Sequence, residues 1–208
     1  MALNTNTPHN RSWYHGSEGR LTKWLPCFRT ALPERLLLSE KAFFLYDTPS
    51  AAAINGSVIT RVNIKQDISI LDVADDSPLS ERLRLEVASN HLLKLSDNSN
   101  KEFWHTGWKT GAMLRLSVTD PGFEHKIYQQ ISRQAEESDK PFQKVYDEFL
   151  LELSHEMVGH ILSTAARMGY DGLTGYAPVK NGVNKPARFL AIFSPKMMTA
   201  GKWVTFAA

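Results

Sequence analysis

The sequence predicts an α+β fold, on three observations. An aromatic run at 43–46 leads through Asp47, the expected N-cap, and Pro49 into an Ala-rich stretch, which is typical of a strand followed by a capped helix. Residues 58–65 alternate apolar and polar side chains, as a half-exposed strand does. Residues 77–168 carry apolar residues mostly at helical spacing. Strands near both ends and a helical middle therefore predict a sheet core with an inserted, mostly helical segment.

Further strands are predicted on either side of the helical segment. Trp13 and Tyr14 lead into a His-Gly-Ser turn, so we expect a first strand to end there. Residues 67–73 continue the sheet after the alternating strand, and 189–195 have the apolar character of a buried final strand. Between them, a long helix is expected over about 142–168, because a glycine follows it directly.

The aromatic strand is expected to have two different faces. Successive side chains of a strand point to opposite sides of a sheet. Phe44 and Tyr46 should therefore share one face, and Phe43 and Leu45 the other.

Composition limits the class of protein. A chain of 208 residues that is 42% hydrophobic can bury a full core, and we expect one domain over 12–208 behind a flexible tail at 1–11. The net charge of +2 indicates no extended surface for DNA or a membrane. Cys27 is the only cysteine, which excludes an intramolecular disulfide and suits a reducing cytosol. No run approaches the roughly 18 apolar residues of a membrane span, so we expect a cytoplasmic protein, or one that acts in a host cytosol if it is an effector.

The stretch most typical of a functional site is His15-Gly16-Ser17, at the end of the first predicted strand. A glycine after the histidine lets a flat ligand lie against backbone N–H and C=O groups with no Cβ in the way. Histidine and serine side chains can hydrogen-bond a sugar hydroxyl beside it. Because the same residues also occur in ordinary turns, their interpretation depends on the rest of the chain.

Three further motifs follow this turn: the aromatic strand with its capped helix at 42–53, the run Gly169-Tyr170-Asp171-Gly172, and the final strand at 189–195. Their order resembles the ADP-ribosyltransferase superfamily, the NAD-using fold of diphtheria-like toxins, poly(ADP-ribose) polymerases and many small phage and bacterial effectors. The resemblance implies a split antiparallel β-sheet core with the helical segment 77–168 inserted in it. It also implies NAD as the cofactor, consumed as a substrate.

The resemblance assigns roles to residues at the matching positions. His15 would bind the nicotinamide ribose, and the Gly16 backbone would pair with the nicotinamide carboxamide. Phe44 takes the place of an aromatic residue that stacks on the nicotinamide ring, and a phenyl ring stacks as well as a phenol does. Tyr14 and Ser17 are also expected to contribute to the NAD site. Tyr46, on the same face as Phe44, is expected to contribute to the site and its chemistry. Arg29 could reach a diphosphate or be a solvated loop residue.

The sequence departs from the family where the last strand begins. Relatives commonly place there a glutamate that holds a ribose hydroxyl and favours the cationic transition state, whereas this chain has Ala187-Arg188-Phe189. Either another acid takes the role, with Asp171 the nearest matched candidate, or the enzyme works without one, or the fold binds NAD without turning it over. Loss of this glutamate implies transfer of a single ADP-ribose and not chain building.

These inferences predict a NAD-dependent mono-ADP-ribosyltransferase that modifies a macromolecular target, expected to be a protein, with nucleic acid kept open as a target. Two alternatives remain: a catalytically degenerate NAD-fold binding protein, and an RNA-processing enzyme of related fold that uses His15 and His105. The oligomeric state is left open.

A metal site is not predicted. The long helix carries His155 and His160, which resemble the zinc-protease helix motif, but that motif needs histidines four residues apart. At five residues apart the two side chains point in different directions. The acidic residues Asp72, Asp75 and Asp76 are expected to be a solvated loop and a helix cap.

Overall fold

The computed structural model describes residues 11–20, 42–75, 77–88, 121–177, 187–199 and 201–204. Within these ranges, the strands are β1 (Trp13–Ser17), β2 (Phe43–Tyr46), β3 (Val58–Val62), β4 (Ile70–Asp72), β5 (Gly172–Ala177), β6 (Ala187–Ile192) and β7 (Lys202–Val204). The α-helices are α1 (Pro49–Ala52), α2 (Pro78–Ala88), α3 (Pro121–Ser138) and α4 (Phe142–Arg167), with short 3-10 helices at Ala53–Asn55 and Pro195–Met197. This composition confirms the predicted α+β class.

All of these strands form one sheet in the order β4-β5-β6-β2-β1-β3-β7. Every neighbouring pair is antiparallel except β4 and β5, which are parallel. The sheet is therefore mixed, where an antiparallel core was predicted. Parallel neighbours need a long crossover connection, and the chain from β4 to β5 passes through α2, α3 and α4.

The sheet has one face covered by helices. Side chains of α2 and α4, such as Leu83 and Ile161, pack there against Phe189, Ala191 and Leu173 of the central strands. Phe44 and Tyr46 pack against this same cluster, as the alternation of the aromatic strand predicts. We call this side the helical face.

The opposite side of the sheet packs against loop segments. Trp13, Leu45, Val62 and Leu190 form a second buried cluster there, together with residues that include Met198. Phe43 packs against it, which again agrees with the predicted alternation. We call this side the loop face.

The predicted helical segment contains α2, α3 and α4. The expected long helix at 142–168 is observed as α4 (Phe142–Arg167). Gly169 follows it with φ 87°, a left-handed conformation that commonly ends helices and that glycine adopts without strain. No helix in the described part of the chain is long and apolar enough to cross a membrane.

The cap of α1 differs from the prediction. Thr48, not Asp47, is the N-cap, and its Oγ1 accepts a hydrogen bond from the Ala51 N–H at 3.3 Å. The Asp47 carboxylate instead accepts a hydrogen bond at 3.1 Å from the backbone N–H of Arg188 on β6. Asp47 therefore ties the end of β2 to the neighbouring strand.

Candidate functional site

The candidate site lies where β1 separates from β2. β1 pairs with β3 along all five of its residues, whereas its register with β2 is the single pair Tyr14↔Tyr46. We call the region beyond this pair, where β1 and β2 are not paired, the β1–β2 gap.

The orientation of the backbone around the gap follows from the neighbouring strand. The Asp47 N–H donates to the Arg188 oxygen on β6, so by alternation the backbone groups of Tyr46 point away from β6, toward β1. Its partner Tyr14 therefore points its own backbone groups toward β2. Gly16, two residues further along, points its N–H and C=O the same way. The backbone of Gly16 thus borders the β1–β2 gap.

The imidazole of His15 reaches across this gap. Its Nδ1 lies 2.9 Å from the backbone oxygen of Phe44 on β2. Because a carbonyl oxygen can only accept a hydrogen bond, Nδ1 carries the proton and donates it. In the neutral ring Nε2 is therefore the acceptor nitrogen, which suits it to a hydrogen bond from a ligand hydroxyl.

The surroundings of His15 favour its neutral form. Burial lowers the pKa of His15 below the ordinary histidine value of 6.5, because desolvation penalises the charged imidazolium. The hydrogen bond to the Phe44 oxygen raises the pKa and is the smaller effect. At pH 7 the side chain is therefore neutral, with its tautomer fixed by the strand beside it.

The rings of Phe44 and Tyr46, which were expected to stack on the nicotinamide, do not lie beside His15 in the structure. Their side chains lie on the helical face, where the Phe44 ring contacts Phe189 at a centroid distance of 6.1 Å. His15 lies on the loop face, because it is two residues from Trp13 on the same strand. The imidazole and the two rings thus belong to opposite sides of the sheet. Only the backbone of Phe44 takes part in the gap.

The presence of glycine at position 16 has a structural reason that the sequence did not reveal. A Cβ at this position would lie 1.8 Å from the backbone oxygen of Ala52 in α1. Glycine is therefore required so that α1 can pack directly on β1. The space expected for a flat ligand over this residue is filled by α1, which leaves the backbone edge at the gap as the part that could contact one.

The remaining predicted cofactor-binding residues are placed as follows. The Ser17 hydroxyl is used locally, donating to the backbone oxygen of Gly19 at 2.7 Å. Tyr14 lies opposite Tyr46 on the helical face, away from His15. Arg29 lies outside the described residues, as does His105, which the RNA-processing alternative requires.

Asp171 is not near the gap. Its Oδ2 accepts a hydrogen bond from the Ser69 N–H at 2.8 Å, and its N–H donates to the Ser69 oxygen at the same distance. These bonds hold the chain at the start of β4 and β5. In the sheet, β6 and β2 lie between β5 and β1, so at about 4.8 Å per strand Asp171 is roughly 14 Å from β1. Its role is structural, and the expected catalytic acid is not supplied by this residue.

Arg188 lies where the resemblance led us to expect a glutamate, and it is the centre of a polar cluster. Its Nη2 donates to both carboxylate oxygens of Asp72, at 2.7 and 2.9 Å. Its guanidinium also lies over the Tyr176 ring, 4.9 Å from the centroid. Asp72 is therefore an ion-pair partner on β4, and the prediction that it belongs to a solvated loop is wrong. Two carboxylates contact Arg188: that of Asp72 binds its guanidinium, and that of Asp47 accepts from its backbone N–H.

The structure also brings residues close to His15 on the loop face that the sequence did not point to. Across from His15 on β3 is Thr60, and across from Thr60 on β7 is Trp203. Thr60 is 1% exposed, and its hydroxyl has no hydrogen-bond partner. Leaving such a group unsatisfied costs about 1–3 kcal/mol. Trp203 is 51% exposed, with the Arg20 guanidinium 4.5 Å from its ring centroid.

A metal centre is not indicated by the described residues. Among them, no group of three or more histidine, cysteine, aspartate or glutamate side chains could hold an ion. His155 and His160 both lie on α4, as predicted, but the side chain of His155 is outside the described part.

Comparisons with known proteins leave the family open. No protein-family model matches the sequence, and no curated protein matches it. Among solved structures, one described as "Crystal structure of an anti-CRISPR protein" is similar over 94% of this chain and 98% of its own, with 10% sequence identity and a TM-score of 0.44. A likeness at this level carries no argument about function, which has to come from the site.

Proposed function

We propose that this chain is a NAD-dependent mono-ADP-ribosyltransferase that modifies a macromolecular target, with a protein as the expected target. The observation that carries the proposal is the fixed tautomer of His15, whose Nδ1 donates to the Phe44 oxygen next to the backbone of Gly16, beyond the single β1–β2 pair. The order of the sequence motifs supports the same assignment.

The proposed roles follow from the hydrogen-bonding groups at the gap. Nε2 of His15, as the acceptor nitrogen, accepts a hydrogen bond from a hydroxyl of the nicotinamide ribose. The N–H and C=O of Gly16 match the C=O and NH₂ of a carboxamide. Binding at these two residues positions the ribose carbon for attack, and positioning is a large part of the rate in group transfer.

The proposed reaction is a single displacement at the ribose C1′. The bond from C1′ to the nicotinamide nitrogen breaks, and its electron pair leaves with the ring as neutral nicotinamide. A nucleophilic atom of the target bonds to C1′, and its proton passes to solvent. His15 orients the ribose, since a neutral imidazole that donates through Nδ1 is held in place and need not exchange a proton.

One observation favours the alternative in which NAD is bound and not turned over. The position expected for an acid holds Arg188, and this arginine is already paired with Asp72. A guanidinium disfavours positive charge on a nearby ribose, so it cannot replace a carboxylate that stabilises a cationic transition state.

The test is transfer of label from biotinylated NAD to proteins of a cell lysate. We expect a labelled band with the wild type, loss of that band with His15→Ala, and retention with His125→Ala. His125 is a matched control because it is exposed and lies on α3, where it contacts Gln129.

The other outcomes distinguish the alternatives. Thermal stabilisation by NAD that requires His15, without any label transfer, would support the binding protein. If NAD neither labels a target nor raises the Tm of the wild type, the proposal is overturned.

A further inference from the structure

We infer that Trp203 and Arg20 form a second ligand subsite, which takes the adenosine-phosphate half of the dinucleotide proposed to bind at His15. This inference rests on the proposed function and adds to it a specific location for the far end of the ligand. It is carried by the arrangement of side chains on the loop face, to which no role has been assigned by the sequence motifs.

The register places the subsite in line with His15. His15 pairs with Thr60, and Thr60 pairs with Trp203, so the three residues form one row across β1, β3 and β7. Directly opposite residues in antiparallel strands project from the same face. With strands about 4.8 Å apart, Trp203 is two strand spacings, or roughly 10 Å, from His15. One elongated ligand lying across the strands can therefore contact both.

Trp203 has the exposure and chemistry of a stacking platform. It is 51% exposed even with Arg20 against its ring, although a tryptophan is among the residues with most to gain from burial. An indole can stack on any nucleobase, because stacking does not depend on a particular pattern of hydrogen-bond donors and acceptors. The Arg20 guanidinium beside it supplies the positive charge and the donors that a phosphate group binds.

Thr60 connects the two ends of the row. Its hydroxyl is buried between His15 and Trp203 and has no hydrogen-bond partner. Buried hydroxyls in native proteins are normally satisfied, so an orphaned one within a candidate site indicates a group that a ligand completes. A hydroxyl can donate to a phosphate oxygen or accept from a sugar hydroxyl.

The test is calorimetric titration of the full chain with ADP-ribose and, separately, with nicotinamide. We expect Trp203→Leu to raise the Kd for ADP-ribose about tenfold, the usual scale for loss of one stacked base, and to leave nicotinamide affinity unchanged. Trp203→Phe should recover most of the affinity. Leu85→Ala, at another exposed apolar residue on α2, is the matched control and should bind like the wild type.

Thr60→Val provides a readout that a structural role would not give. Valine has nearly the same shape and removes the orphaned hydroxyl, so we expect an equal or higher Tm together with weaker ADP-ribose binding. A lower Tm with unchanged ADP-ribose affinity would show that the hydroxyl serves the fold, and would overturn its assignment to the ligand.

Failure of this inference is distinguishable from failure of the proposed function. If label transfer from NAD depends on His15 but Trp203→Leu binds ADP-ribose like the wild type, the second subsite is refuted and the proposed function stands. If ADP-ribose binding depends on Trp203 while His15→Ala transfers label normally, the subsite stands and the assignment of His15 is refuted. If the wild type does not bind ADP-ribose at all, the inference is overturned.

Discussion

At the scale of single residues, the lowered pKa of His15 predicts how the stability of the protein depends on pH. The pKa of His15 is lowered in the folded protein, chiefly by desolvation, so folding favours its neutral form. Its contribution to stability is therefore fully present above pH 6.5, the unfolded value, and is lost as the pH falls through the lower folded pKa. We expect the free energy of unfolding of the wild type to fall between pH 7.5 and pH 5 more steeply than that of His15→Asn.

Asparagine is the informative replacement for this measurement. Its side-chain amide can still donate to the Phe44 oxygen, but it does not titrate. Urea unfolding at several pH values measures both proteins. Parallel curves for the two would mean that His15 does not have the lowered pKa assigned to it.

The close contact between Gly16 and α1 predicts the effect of adding a side chain at this position. Gly16→Ala places a methyl group 1.8 Å from the Ala52 oxygen, so α1 and β1 must move apart. We expect a loss of about 3 kcal/mol in the free energy of unfolding, at the upper end of typical overpacking effects. Gly19→Ala is the control, because a Cβ there has nothing within 4 Å and should change stability little. Equal Tm values for the two variants would contradict the close approach.

At the scale of elements, the pair Arg188–Asp72 links two strands that are not neighbours. It joins β6 to β4 across β5, and its side chains are 17% and 37% exposed. Because Asp72 is partly solvated, we expect a coupling energy of about 1 kcal/mol, near the top of the range for accessible ion pairs. A double-mutant cycle with Arg188→Met and Asp72→Asn measures it. Additive effects of the two substitutions would show that the pair is not coupled.

Local patterns predicted the elements better than their relative positions. The alternation at 43–46 gave the correct faces of Phe43, Phe44 and Leu45, because that property depends on one strand alone. The predicted helix at 142–168 agrees with α4 within a residue. In both cases the deciding interactions are close in sequence.

The site was harder to predict because it depends on register between distant strands. That His15 lies on the face opposite the Phe44 ring follows from the pairing of β1 with β2, which nothing in either segment alone specifies. The ion pair of Asp72 with Arg188 has the same origin. The sequence does not point to Thr60 for a related reason, since a hydroxyl without a hydrogen-bond partner is recognisable only once every neighbour is placed.

At the scale of the whole molecule, the order of strands in the sheet interleaves early and late parts of the chain. β6 lies between β2 and β5, and β7 pairs with β3. Long-range pairing of this kind is slow to form, because loop closure precedes the stabilising contacts.

This interleaving has a consequence during synthesis on the ribosome. A nascent chain that has emerged only up to Ala177 lacks β6, so the backbone edges of β2 and β5, at Leu45 and Leu173, remain unpaired. Such a chain presents unpaired edges of the kind that invite aggregation until β6 emerges. Production of the protein should therefore depend on chaperone supply far more strongly than its final stability would suggest.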